Sequence, residues 1–492
     1  MRVLLLFVLA NVAFVSYSQS PAGIGSGDGS VSPRNVLWLR ADAGITEAAG
    51  IVSAWADQSG NSLNASQATV GLRPTYTSAN ANLNNQPSIN FGPTGTNKHL
   101  VVADNNLLDN SAEMSFFIVM RMADASSTYG LLNKRTDTDA NQAYRIYTNG
   151  TNFNTDINDG ADATGSVAAN TSYLISAVYD HSLTGDRNLL YLNSTFADGA
   201  TVTTTLDNKA SPLYIGTFDV SSGETRNFPG DIAEIILYNQ ALTAPQRLIV
   251  DNYLSQKYDI HISTHDIFGN MGTYSTTFFT DFRALGSVDG TTKETTATSN
   301  ALIVRESNNT LDAGEFVAFA HDNTTHASNN TSQIGTGITN RWARSWYLES
   351  SFNGVVDGGA VSAELVFDFG DAGLSYTGSI NDYVLLYRDD LADNFEVIYV
   401  DNYTLEAGDR VVARVPANRL QSGYYTLGRG TSSWPKPGMC FKTATGAMPP
   451  PGPSMLPRPL STTTPAQKLQ ELMMQSLSAR VAPSPFLALR IT

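Results

Sequence analysis

Short runs rich in β-branched and aromatic residues, each closed by Gly, Asn, Asp or Pro, recur along most of the chain. The clearest are Met114–Met122, Ala143–Tyr147, Tyr173–Tyr179, Asn188–Asn193, Leu213–Thr217 and Ile232–Tyr238, and each predicts a strand. Ordered structure starts at Asn35-Val36-Leu37-Trp38-Leu39-Arg40. The wide spacing of the runs fits a large sandwich with generous loops, a jelly roll more than a small immunoglobulin-type unit. One helical pattern interrupts them. Thr243 can cap it, Pro245 suits its first turn, and Leu248, Ile249, Tyr253 and Leu254 fall on one broad face up to about Tyr258. A boundary follows at 260–267. Further strands are expected at Ala301–Arg305, Glu315–Ala320, Arg341–Leu348, Ser362–Phe369, Tyr383–Arg388, Glu396–Val400, Arg410–Val415 and Tyr424–Leu427. They predict a second antiparallel sandwich over 263–430.

Composition supports an all-β reading. Only 15% of residues are charged, against roughly 25% in an average soluble domain. Asn, Thr, Ser, Gly and Asp take their place, and these serve turns and strand surfaces. The first residues read as a signal peptide over 1–18: Arg2, an apolar run Val3–Val15, then Ser16-Tyr17-Ser18. The run is short for a bilayer span, and no later segment approaches 18 consecutive apolar residues, so a secreted or cell-surface protein is expected, with no transmembrane segment in the mature chain. Residues 19–34 read as a linker. Cys440 is the sole cysteine, which leaves stability to core burial. After Trp434 come 11 of the 20 prolines and none of the 21 tyrosines. The segment 431–492 reads as a disordered proline-rich tail or as a frame-disrupted end, and both readings stand. Six basic residues and Glu471 give the tail +5 and leave about −20 on the rest. That acidity argues against nucleic acid and anionic lipid, suits calcium, and leaves neutral sugars open.

Four stretches in order resemble a known family. They are Leu37-Trp38-Leu39-Arg40-Ala41-Asp42 with Ser53-Ala54-Trp55-Ala56-Asp57-Gln58-Ser59-Gly60-Asn61; Gln86-Pro87-Ser88-Ile89-Asn90-Phe91; Gly230-Asp231-Ile232-Ala233-Glu234-Ile235-Ile236-Leu237-Tyr238; and Tyr253-Leu254-Ser255-Gln256-Lys257-Tyr258. Over 35–260 the chain is similar to the concanavalin A-like lectin/glucanase superfamily, in its laminin-G-like branch of bacterial surface proteins. The resemblance implies a two-sheet jelly roll, often a carbohydrate-binding or adhesive module and sometimes calcium-dependent. Arg341-Trp342-Ala343-Arg344-Ser345-Trp346 and Tyr424-Tyr425-Thr426-Leu427-Gly428 make 263–430 similar to a companion β-domain of no known activity. In such chains a β-sandwich sorting domain usually ends the sequence, where this one carries its tail.

A glycan site needs an aromatic face and amides or carboxylates for the hydroxyls. Tyr144, Tyr147 and Phe153 lie near Asn149, Asn152 and Asn154 around Gly150 and form the candidate rim. Calcium candidates are Asp137 and Asp139, and Asp156, Asn158 and Asp159, which place oxygen ligands in loops. Turn formation explains the same residues without metal. A glycosidase of this fold needs two carboxylates on one strand face. The nearest match, Asp231 and Glu234, has an odd spacing that predicts opposite faces, and both are expected to start and decorate the last strand. Glu294, Glu306, Glu315 and Glu349 read as surface residues, His321 and His326 as solvent-exposed, and His261 with His265 as no metal site. Trp38 and Trp55 read as core. The expected function is non-catalytic glycan or surface-ligand binding. A structural stalk and a polysaccharide hydrolase or lyase are the alternatives.

Overall fold

The computed structural model describes residues 20–109, 112–135, 142–218, 226–268, 277–351 and 361–430. The signal segment, Asp137, Asp139 and the tail lie outside them. Nearly all regular structure is β, with one α-helix, Ala244–Tyr258, among the described residues. No described helix is long and apolar enough to cross a membrane.

The strands between Asn35 and Tyr238 pair continuously, mostly with antiparallel neighbours, and fold over one apolar core. In one layer Glu113–Met122 lies between Thr171–Asp180 and Gly230–Tyr238, and the latter also pairs with Asn35–Arg40. In the other, Thr128–Lys134, Tyr144–Asn149, Asn152–Ile157 and Ala163–Ser166 follow one another, with a register shift at Ile146/Tyr147 in the first pairing. The run Phe116–Met120 is apolar throughout because both its faces are covered. Phe116, Ile118 and Met120 enter the core between the layers. Phe117 and Val119 face a second cluster built around the helix.

The helix begins as expected: Thr243 Oγ1 accepts from the Gln246 amide while the Gln246 side chain accepts from the Thr243 amide, a reciprocal cap with Pro245 in the first turn. Its burial is not the single face that the pattern suggested. Most of its residues are buried, Arg247, Asp251, Asn252, Gln256 and Lys257 among them. The reason is a second covering. Leu248, Ile249, Leu254 and Tyr258 pack with Phe117, Ile236 and Tyr238 on one side and share a cluster with Phe268, Phe282, Phe316, Tyr347 and Tyr424 on the other.

The later strands form two antiparallel sheets. Thr280–Ser287, Phe316–His321, Trp346–Ser351, Gly423–Gly430 and Tyr383–Arg388 lie side by side in one. Thr296–Ser299, Leu302–Glu306, Ala363–Asp368, Arg410–Val415 and Asn402–Glu406 make the other. Trp346, Phe319, Phe367, Leu385 and Tyr425 fill the space between them. The expected strand Arg341–Leu348 is split into Ile338–Arg341 and Trp346–Ser351. At the break, Arg341 Nη1 donates to the carbonyls of Trp342 and Ala343, and Arg344 Nε to that of Thr324. These side chains add to the backbone bonds that remain at the break, from the Trp342 amide to the Leu427 carbonyl and from the Ala343 amide to that of Ala327.

Candidate ligand-binding face

The hairpin Tyr144–Asn149 and Asn152–Ile157 turns at Gly150, whose φ of 61° lies in the left-handed region. Alternation along its strands divides the candidate rim in two. Tyr144, Ile146, Phe153 and Ile157 belong to the core, and the Tyr144 ring meets Phe116 edge-on at 5.0 Å. Tyr144 and Phe153 are fully buried and drop out of any glycan rim. Across the strands, Arg145 pairs with Asp156, Tyr147 with Asn154 and Asn149 with Asn152. The next strand adds Thr164 opposite Asn154 and Ser166 opposite Asn152. These residues share the face of the layer turned away from the core; Tyr147, Asn154 and Asp156 are nonetheless buried there, and Asn149, Asn152 and Ser166 are exposed.

The face is graded from ionic to neutral. At one end Asp156 accepts from Arg145 Nε at 2.8 Å, Gln142 Nε2 at 2.9 Å and the Gly160 amide at 3.0 Å. Burial pushes its carboxyl above the ordinary value, while Arg145 opposes the shift. In the middle the Tyr147 hydroxyl donates to Asp162 Oδ2 at 2.6 Å. Burial first, and then Asp162, push that phenol up. Asp162 Oδ1 is buried with no hydrogen-bond partner, an unused acceptor on this face. The Arg145 guanidinium lies 5.2 Å from the Tyr147 ring centroid, and Phe218 packs at 5.6 Å. At the other end Asn149 and Asn152 are exposed beside the turn.

The calcium candidates within the described residues do not converge. Asp156 is engaged by Arg145 and Gln142. Asn158 and Asp159 hold left-handed turn conformations at φ 57° and 55°. The Asn158 amide donates to the Thr205 carbonyl at 2.6 Å, and Asp159 lies 3.4 Å from Arg145. Turn chemistry accounts for Asn158 and Asp159, and the ion pair with Arg145 for Asp156. Among the described residues no group of three His, Cys, Asp or Glu could hold a metal ion.

One feature of the site has no counterpart in the sequence reading. Phe196, on the strand Thr195–Ala200, is 55% exposed and meets Tyr191 edge-on at 5.6 Å. Asp198, two residues on, accepts from the Thr164 amide at 2.9 Å and ties that strand to the polar face. The available signal was Asn193-Ser194 between two strand-like runs. Both hold positive φ, 48° and 65°, as a two-residue hairpin requires, so an aromatic just past the turn falls at the sheet margin.

Asp231 and Glu234 are each committed elsewhere. A bulge between Ile232 and Glu234 breaks the alternation that the odd spacing assumed. Asp231 accepts from Asn90 Nδ2 at 2.9 Å. Glu234 is not a surface decoration but fully buried. It accepts from Trp38 Nε1 at 2.6 Å, Lys257 Nζ at 2.7 Å, Tyr258 OH at 2.8 Å and Tyr253 OH at 3.0 Å. Beside this node a cleft of about 290 Å³ is lined by Trp38, Arg40, Asp42, Lys257, Asp281 and Arg283. Its charges are already paired: Arg40 with Asp42 at 2.9 Å, Lys257 with Asp42 at 3.1 Å and Arg283 with Asp281 at 2.6 Å.

Other expectations also change. His321 is buried and His326 half-buried against Trp342, not solvent-exposed, because the loop between them folds over the second core. Glu315 is buried, and Glu294 accepts from Gln246 on the helix at 2.8 Å.

Comparison with known proteins gives a family match for part of the chain. Residues 94–246 match the model of the concanavalin A-like lectin/glucanases superfamily. No curated protein matches the chain. Among solved structures, the sialidase of Trypanosoma rangeli aligns at 16% identity and a TM-score of 0.32, over 48% of this chain and 36% of that one. The chain thus spans about a third of that enzyme's length. Domain 4 of AbnA, an extracellular arabinanase of Geobacillus stearothermophilus in complex with arabinotriose, aligns at 12% identity and a TM-score of 0.33. That alignment covers 44% of this chain and 98% of the domain. The CBM40 of the Ruminococcus gnavus IT-sialidase, bound to α2,3 sialyllactose, aligns at 12% identity and a TM-score of 0.27, over 33% and 94%. Likeness this loose does not bear on ligand or reaction. Over residues 94–246, then, the chain is similar to the concanavalin A-like lectin/glucanases superfamily.

Proposed function

We propose that the chain is an exported carbohydrate-binding protein that holds glycan on the outward face of Tyr144–Asn149, Asn152–Ile157 and Ala163–Ser166, without cleaving it. The observation that carries this reading is the cross-strand set of exposed Asn149, Asn152 and Ser166 with half-buried Thr164, beside the half-buried carboxylate of Asp162. Amides, hydroxyls and a carboxylate in one row offer the donors and acceptors that sugar hydroxyls need. Phe196 supplies the exposed ring for stacking. Binding rather than cleavage is supported by the carboxylates themselves: Asp156 is neutralised by Arg145, and Asp162 is tied to Tyr147. The superfamily match and the apolar run at the N-terminus support a glycan ligand and an extracellular setting.

A panel of neutral and acidic polysaccharides, probed with the full chain, tests this. Asn152→Ala and Phe196→Ala are each expected to weaken the retained interaction by roughly tenfold, the loss of about 1.4 kcal/mol. Retention unchanged in both variants places the site elsewhere. A second reading, a structural protein without small-ligand affinity, is favoured by the cluster shared by the helix and the later sheets. It predicts no retention at all.

A further inference from the structure

At the end of the strand Thr128–Lys134, on the core side, the Lys134 side chain is entirely buried. Its ammonium sits among four oxygens: Asp104 Oδ1 and the Ser211 carbonyl at 2.6 Å, the Lys209 carbonyl at 3.0 Å, and Asp109 Oδ2 at 3.3 Å. Two more oxygens nearby are buried without a hydrogen-bond partner, Asp109 Oδ1 and Ser211 Oγ. An ammonium has three N–H donors, so the cage offers more acceptors than its occupant can serve. Two carboxylates with two backbone carbonyls form a hard-oxygen set of the kind that takes calcium with six to eight ligands. Their charge of −2 is only half matched by one lysine.

We propose that this cage is a cation site whose occupant is the chain's own Lys134, and that it takes a divalent cation once the ammonium is removed. Lys134 acts as a tethered cation: it joins the 104–109 loop, the 209–211 loop and the strand end without a metal. This role is separate from the glycan face, and its test reads stability and metal binding, not glycan.

The experiment compares thermal melting of the full chain in EDTA and in millimolar CaCl2, with terbium luminescence as the binding readout. Wild type is expected to melt identically in both and to take no terbium in the cage. Lys134→Ser, which leaves room for an ion, is expected to melt roughly 10 °C lower in EDTA. It should recover most of that in CaCl2 and show terbium emission sensitised by the neighbouring Tyr144. Adding Asp109→Asn should abolish the recovery. Lys134→Met, which keeps the stem but not the charge, should melt low and ignore calcium. The proposal is overturned if wild type gains stability from calcium through Asp109, or if Lys134→Met responds to calcium as Lys134→Ser does. It is equally overturned if Lys134→Ser stays unfolded in CaCl2, or folds without binding either ion.

Discussion

His321 shows how a single buried ring can set a pH limit. Its Nδ1 accepts the Asn323 amide at 3.0 Å, so the ring is held neutral. Burial is the main cause that pushes it down to about 3, with the charges of Arg344, His326 and Arg283 adding to the shift. The folded value lies below the unfolded one near 6.5, so the stability it contributes is present above that value and is lost as pH falls. Between pH 6.5 and 4, His321 alone should remove roughly 3 kcal/mol at 1.36 kcal/mol per unit. Denaturant melts of wild type and His321→Asn, whose Oδ1 keeps an acceptor near Nδ1, check this. The wild-type curve should fall more steeply, and parallel curves would contradict the assignment. The period-2 pattern was legible at the residue scale: it separates Tyr144 and Phe153 from Tyr147, Asn149, Asn152 and Asn154 once the strand bounds are known. The burial of His321 was not, because Trp342 and Trp346, which cover that loop, are apart from it in sequence.

Among the elements, the helix was legible in its ends and not in its surroundings. Thr243, Pro245 and Gln246 mark its start in sequence and form the cap in the structure. The strands that bury its second side come from 280–430, so local periodicity could not reveal that burial. Its polar residues then need partners. Arg247 meets Asp251 at 2.5 Å, and Lys257 meets Glu234 at 2.7 Å. Glu234→Gln is therefore expected to cost about 1.5–3 kcal/mol, since it weakens a charge-assisted bond to Lys257, which keeps Asp42 at 3.1 Å as its ionic partner. Chemical denaturation measures the loss. Hydrogen exchange should show it concentrated in Ala244–Tyr258, and a variant within about 0.5 kcal/mol of wild type would remove Glu234 from its role as a node.

At the scale of the whole molecule, an all-β chain was readable from its runs, turn residues and low charge. Most expected strands of the first region are found within a few residues of their sequence bounds, as in Glu113–Met122 and Gly230–Tyr238. The proposed binding face was less readable, because it depends on register. A bulge at Ala233 overrode the alternation assumed for Asp231 and Glu234. Phe196 became visible only when the Asn193-Ser194 turn placed it at a sheet margin. The most direct test of the account is hydrogen exchange on the full chain, with and without the polysaccharide it retains most strongly. Protection is predicted in 144–166 and 195–200. Protection confined to the later sheets, or absent from 144–166, would contradict it.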